Sequence, residues 1–467
     1  MNLPPSLSIR DGHLWIGRHD TVALAKKYGT PLYVTDEDRI LENFNAYRTA
    51  LEARYPKTRI LYAAKANGNL AVLRALATAG AGADVFSSGE LHLALSAGMR
   101  PGDLLFNGSS KSPADLLLSV DKGVPVSVDS LDELRQLDHA AGSQKKKARI
   151  AFRVNPALEV PTHPKIATGL ATSKFGIPHE QIPAAYEEAL ACHHIAPVGI
   201  HCHIGSQILA VDPFARACEV MMRIAADITD RGVTLEFIDL GGGLGIPYHR
   251  SEGETAPSPK DYAEAVVPIF ARGVREAGIS PELWIEPGRS LLTDSTILLS
   301  RVNSLKPAHR TFANIDAGFN LLIRPVMYDS WHEVIVANKA DRKGESLYSI
   351  AGPICETGDI LAHDRMLPKL ADGDLIAVLD AGAYGIICPM INNRAEAEKI
   401  WKGVLPSILK LLPPKEGDDV EAWKKKSAAA LQRVYDVAQR LAGLSNEDME
   451  ELAENFFVGQ NDGSTSA

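Results

Sequence analysis

From Arg59 onward the chain repeats one rhythm: a short apolar run, then a stretch with helical spacing. The strand-like runs are RILYAAKA, ADVFSS, LLFNGS, PVSVDS, ARIAFRVN, VGIHCHIG, FIDLGG and LWIEPG. Between them lie stretches such as NLAVLRALATAG and SLDELRQLDHAAG, whose apolar residues recur at helical spacing. Strands joined through helices run parallel, because a parallel pair needs a long crossover connection. Eight in succession predict an α/β fold built on a closed (β/α)8 barrel rather than an open doubly wound sheet. That prediction also says where chemistry belongs, since such barrels work at the C-terminal ends of their strands.

Past Ser290 the rhythm changes. STILLSRVNSLK, RTFANIDAG, HEVIVANK, LYSIAGP and GDLIAVLDAGAY read as strands without intervening helices, which predicts a mostly β domain. The organisation expected is an N-terminal segment over 1–30 packing with the β domain, the barrel over 31–297, the β domain over 298–395 and a helical extension over 396–467. In that extension Val420, Trp423, Leu431, Val434, Ala438 and Leu441 form an apolar stripe, and an oligomer contact or a packed bundle would each bury it. A length of 467 residues fits several domains. The net charge of -9 speaks against a nucleic-acid surface. No apolar run approaches the roughly 20 residues that span a bilayer. The N-terminus lacks the basic and apolar regions of a signal peptide. Five scattered cysteines without a C-x-x-C pair fit a reducing compartment, so the cytoplasm is expected.

Several polar residues fall at strand ends. Lys65 ends the first strand, Asp84 opens ADVFSSGEL, and His201 and His203 end the sixth. Gly241, Gly242 and Gly243 end the seventh, and Glu286 and Arg289 end the eighth. Each has a plain alternative: a lysine that snorkels outward, a tight glycine turn, a histidine pair without a third ligand. No metal is assigned. Taken together they make a chemical set. A lysine amine can hold an aldehyde cofactor as a Schiff base, and glycines after strand seven can cradle a phosphate. A carboxylate can keep a pyridine nitrogen protonated, and an imidazole can stack on the ring. Pyridoxal 5'-phosphate asks for this set.

The ordered motifs YAAKANGN, ADVFSSGEL, VSVDS, RVNP, THPKIATG, SKFGI, GIHCHIGSQ, LGGGLGIPY, IEPGRS, DAGFNLLIRPVMYD, GPICETGD and DAGAYG resemble the diaminopimelate decarboxylase family. That family belongs to the fold-type III, alanine-racemase-like pyridoxal-phosphate decarboxylases. The resemblance spans about Asp11 to Arg394. It implies decarboxylation of meso-2,6-diaminopimelate to L-lysine, the final step of lysine biosynthesis. It implies that Lys65 carries the cofactor, that Asp84 belongs to its site, that His203 stacks on the ring and that Glu286 pairs with the ring nitrogen. Ser206, Gly243, Glu286, Gly288 and Arg289 would surround the phosphate. Tyr384 would touch cofactor and substrate, and Arg289, Arg324, Tyr328 and Glu356 would contact the substrate. Cys355 would protonate the carbon that loses carbon dioxide. In the family Cys355 and Glu356 come from the neighbouring subunit, which implies a homodimer with shared sites.

The substrate's far end carries a carboxylate and an ammonium. Arg289 and Arg324 can fork onto the carboxylate and Glu356 can take the ammonium. Ornithine or lysine would leave those guanidiniums unpaired. Decarboxylases of carboxynorspermidine, ornithine or a D-amino acid share the chemistry and stay as alternatives, as does a binding protein without activity. After DAGAYG the chain departs from the family's N-Y-N-S-R-like loop and reads IICPMINNRAEAE, so contacts there are not carried over.

Overall fold

The computed structural model describes residues 3–163 and 166–385. The expected helical extension 396–467 and the last expected residues of the β domain, 386–395, lie outside the described residues.

Eight parallel strands close on themselves in chain order. They are β1 (Thr58–Ala63), β2 (Gly82–Val85), β3 (Leu104–Phe106), β4 (Val126–Val128), β5 (Ala148–Asn155), β6 (Ile195–Cys202), β7 (Phe237–Asp239) and β8 (Glu282–Ile285), and β8 returns to β1. Every run read from the sequence supplies one of them. Local chemistry starts the helices between. Ser112 and Ser258 cap Pro113–Lys122 and Pro259–Glu276, each in a reciprocal box with Asp115 or Asp261. Proline at the first helical position loses no bond, because that N–H has no helical partner.

Alternation along the strands splits the apolar residues. Ile60 and Tyr62 pack outward with the helices, whereas Leu61 joins Leu105, Ala151, Val198, Phe237 and Trp284 inside the barrel. Phe237 and Trp284 stack with centroids 3.8 Å apart. A Cβ at position 199 would lie 2.3 Å from the Phe237 ring, so Gly199 makes that stack fit. The barrel is therefore a packed core, and ligands are left its C-terminal mouth.

The second domain is one mostly antiparallel sheet. Its strands are β9 (Thr296–Lys306), β10 (Phe312–Ile315), β11 (Val334–Val336), β12 (Ser346–Ala351), β13 (Ile360–Leu367) and β14 (Leu375–Val378), ordered β11-β14-β9-β10-β12-β13. β9 serves both halves: its start pairs with β14 and its end with β10. The strand Leu32–Thr35 also pairs with β9, Thr35 opposite Thr296, although it falls inside the 31–297 expected for the barrel. One five-residue helix, Arg324–Tyr328, interrupts a stretch read as strands alone. The N-terminal hairpin, Leu7–Arg10 with His13–Ile16, turns at Asp11 and Gly12, with φ of 50° and 78°. Its Leu7, Leu14 and Ile16 pack with Ile297, Leu299 and Ile335 of the β domain. No described helix is long and apolar enough to cross a membrane.

Candidate active site

β1 ends in a tight turn, Ala64–Ala66, that carries Lys65 off the strand. The Lys65 Nζ lies 2.9 Å from Asp84 Oδ2 and 3.8 Å from the centroid of the Phe86 ring. Asp84 is fully buried on β2. Its other oxygen accepts a bond of 2.6 Å from Asn107 Nδ2, and the same amide nitrogen donates to Glu286 Oε1 at 2.7 Å. Glu286 Oε2 stands 3.4 Å from His201 Nε2, and His201 Nδ1 is 2.8 Å from Ser127 Oγ. One continuous polar line thus joins a lysine and two carboxylates from the ends of three strands.

Burial alone would lower the Lys65 amine, but ionised Asp84, then Tyr384 and Glu286, hold it above its ordinary value as an ammonium. Burial alone would raise Glu286. The charge and hydrogen bond of His201, then the charge of Lys65, outweigh it and pull this carboxyl down to about 2. Asp239 goes the other way, pushed well up by burial and by the charge of Glu286. His203 is held well below the usual histidine value by burial and then by Lys65. The mouth therefore holds an ionised Glu286 beside a neutral His203.

The glycines after β7 are there for space. A Cβ would lie 2.4 Å from the Cys202 carbonyl oxygen at Gly241, 2.0 Å from that of Glu286 at Gly242 and 2.3 Å from that of Gly205 at Gly243. Gly243 also has φ +116°, which side-chain-bearing residues rarely adopt. The Gly242 amide donates to His203 Nδ1 at 3.1 Å. Beside this cradle, Arg289 Nη2 donates to Ser206 Oγ and Nη1 to the Tyr248 hydroxyl, both at 2.9 Å. The Arg289 guanidinium also lies 4.8 Å from the Tyr384 ring centroid. Tyr384 comes from the β domain, yet its amide donates to the Ala66 carbonyl at 2.8 Å, next to Lys65. A Cβ at Gly288 would meet Ala63 and Ala66 at 3.0 and 3.1 Å and the Tyr384 hydroxyl at 3.4 Å. A half-buried amine, an ionised carboxylate, a neutral imidazole and a closely packed glycine turn beside Ser206 and Arg289 fit a ligand with an aldehyde, a basic ring nitrogen and a phosphate.

The β domain brings a second cation. Arg324 is 4 % exposed, lies 4.1 Å from the Tyr248 ring centroid and places Nη1 2.7 Å from His332 Nε2. Tyr328 closes the same short helix, and its ring meets that of His163 edge-on at 5.9 Å. Cys355 and Glu356 stand exposed in the β12–β13 loop, which the Asp359 carboxylate ties down through the amides of Ile354 and Phe319. Among the described residues no contact joins either of them to the Lys65 group.

The structure thus gathers Lys65, Asp84, His203, Ser206, Gly243, Glu286, Gly288, Arg289 and Tyr384 at one mouth, with Arg324 linked to them through Tyr248. Sequence reasoning missed Asn107, Phe86, Ser127, Tyr248 and His332. Asn107 follows β3, so attention to uncharged polar residues at strand ends would have found it. His201 groups with Asp239 and Glu286, their donor atoms within 4.8 Å of one another, rather than with His203. Asn107 and Ser127 already bond two members of that trio.

Residues 37–293 match the family described as pyridoxal-dependent decarboxylase, pyridoxal binding domain. The chain is 52 % identical to the diaminopimelate decarboxylase of Archaeoglobus fulgidus over 394 residues, 84 % of this chain and 92 % of that one. The enzyme of the same name from Methanothermobacter thermautotrophicus is 42 % identical over 85 % of this chain and 92 % of its own. The crystal structure of diaminopimelate decarboxylase from M. jannaschii in co-complex with L-lysine is similar at a TM-score of 0.78 and 37 % identity, covering 84 % of this chain and 91 % of that one.

Proposed function

The chain belongs to the diaminopimelate decarboxylase family of pyridoxal-dependent decarboxylases, and from that premise we propose how its residues do the chemistry. It is a carboxy-lyase that converts meso-2,6-diaminopimelate to L-lysine and carbon dioxide with pyridoxal 5'-phosphate, the final step of lysine biosynthesis. The observation that carries the site assignment is the hydrogen-bonded line from Lys65 through Asp84 and Asn107 to Glu286, set beside the glycine turn after β7.

When bound, pyridoxal 5'-phosphate supplies an aldehyde for an amine to condense with and a ring that takes up the electron pair left by carbon dioxide. Lys65 would hold it, with Asp84 orienting the lysine amine. Glu286, ionised at neutral pH, would keep a proton on the ring nitrogen. His203, neutral, would lie against the ring without repelling that proton. Ser206, Gly243 and the segment from Glu286 to Arg289 would take the phosphate.

The substrate's far end meets Arg289, Arg324, Tyr328 and Tyr384. Among the described residues neither arginine has a carboxylate within 4.0 Å, although both are at least nine-tenths buried. A buried guanidinium without a counter-ion favours an anionic ligand, and the distal carboxylate is one. Glu356 takes the distal ammonium, and Cys355 delivers a proton to the carbon that carbon dioxide leaves. Both are exposed in this chain, and the apolar Val326 and Met327, 39 % and 44 % exposed, lie on the neighbouring short helix. These features support a homodimer in which Cys355 and Glu356 complete the partner's site.

The test supplies the full chain with pyridoxal 5'-phosphate and meso-diaminopimelate. L-Lysine and carbon dioxide should form one to one, and Lys65→Ala should lose both turnover and the visible absorbance of lysine-bound cofactor. Carbon dioxide without lysine, or borohydride-trappable cofactor on Lys65→Ala, would contradict the assignment.

A further inference from the structure

We propose that His332 is a positioning residue that sets the preference for ligands with a distal carboxylate, by fixing the guanidinium of Arg324. The inference rests on the reading above that Arg324 meets that carboxylate. His332 is fully buried between two obligatory partners. Its Nδ1 lies 2.8 Å from the Leu379 carbonyl oxygen, which can only accept, so Nδ1 carries the proton. Its Nε2 is then a bare acceptor, and Arg324, which can only donate, points Nη1 at it from 2.7 Å. Both bonds require the same neutral tautomer. Burial and then the charge of Arg324 keep His332 well below the usual histidine value, so it stays neutral.

The remaining sides of Arg324 are also fixed. Tyr248 lies 4.1 Å beneath the guanidinium and meets the His332 ring edge-on at 5.5 Å, while Nη2 reaches Ser330 Oγ at 3.3 Å. An arginine has five N–H donors, so these bonds leave most of them for a ligand in a set orientation. Fixing the long side chain in advance removes ordering that a ligand would otherwise have to impose.

L-Lysine keeps a carboxylate at the end away from the amine that enters the cofactor site. Cadaverine has the same chain without that carboxylate. Inhibition constants for both are measured on the full chain with pyridoxal 5'-phosphate bound. His332→Asn keeps a donor for Leu379 but is too short to accept from Arg324. It should weaken L-lysine by about tenfold or more and cadaverine by less than about twofold, with the visible absorbance of bound cofactor unchanged. His332→Gln, long enough to offer Arg324 an oxygen, should return L-lysine to within about threefold of wild type. Equal weakening of both ligands, no weakening of L-lysine, or a Gln variant no better than Asn would overturn the inference. Wild-type protein that binds L-lysine no better than cadaverine would instead overturn the reading of Arg324 on which it rests.

Discussion

Glu90 is 4 % exposed, and its two oxygens have different surroundings. One accepts from the Phe86 amide at 2.7 Å and the other has no hydrogen-bond partner among the described residues. Burial pushes this carboxyl up to about 7, with the charge of Asp84 adding to it and the Phe86 bond opposing it. The Phe86 ring lies beside the Lys65 amine, so Glu90 braces the site from behind. A carboxyl whose folded value lies above its unfolded 4.5 contributes stability fully below about pH 4.5 and loses it as pH rises through about 7. Glu90→Gln carries the neutral form at every pH and keeps an acceptor for Phe86. Urea midpoints of variant and wild type should nearly coincide below pH 5. By pH 8 the variant should be the more stable, by on the order of 2–3 kcal/mol. A wild type that gains on the variant as pH rises would contradict this. Lys65, Asp84, His203, Glu286 and Arg289 were legible in the sequence because a charged or titratable side chain closing an apolar run is conspicuous. Tyr248 and His332 were not, because their roles lie in partners that only folding brings near: His332 bonds to Leu379, 47 residues away.

Among the elements, legibility followed periodicity. All eight barrel strands stood out because helical spacing separates them and each is buried almost throughout. Strand β13 was missed because His363, Asp364 and Arg365 break its apolar pattern; among the described residues it pairs only with β12, at the edge of its sheet, where such residues are tolerated. The strand Leu32–Thr35 was assigned to the barrel span because its residues say that it is extended and not which sheet it joins. Its partner in β9 lies 261 residues away. The Arg324–Tyr328 helix hid for a different reason: five residues are too few for a helical period to show.

At the scale of the whole molecule, each working site as proposed is built from two chains. If Lys65 and Cys355 of one site come from different subunits, two nearly inactive variants should rescue each other. Mixing Lys65→Ala with Cys355→Ala under subunit exchange makes about half of the dimers mixed, and each mixed dimer holds one site with both lesions and one with neither. Activity should return to about a quarter of wild type per site. No recovery, with exchange verified, would place lysine and cysteine in the same chain. The two buried guanidiniums should select a substrate with a carboxylate at each end, and carbon dioxide release from a substrate panel reads that selection. With the full chain and pyridoxal 5'-phosphate, kcat/KM for meso-diaminopimelate should exceed that for L-ornithine, L-lysine and D-lysine by about ten-thousandfold, the scale on which a site built for a buried polar group rejects ligands that lack it. Comparable or faster release from ornithine or either lysine would contradict the account.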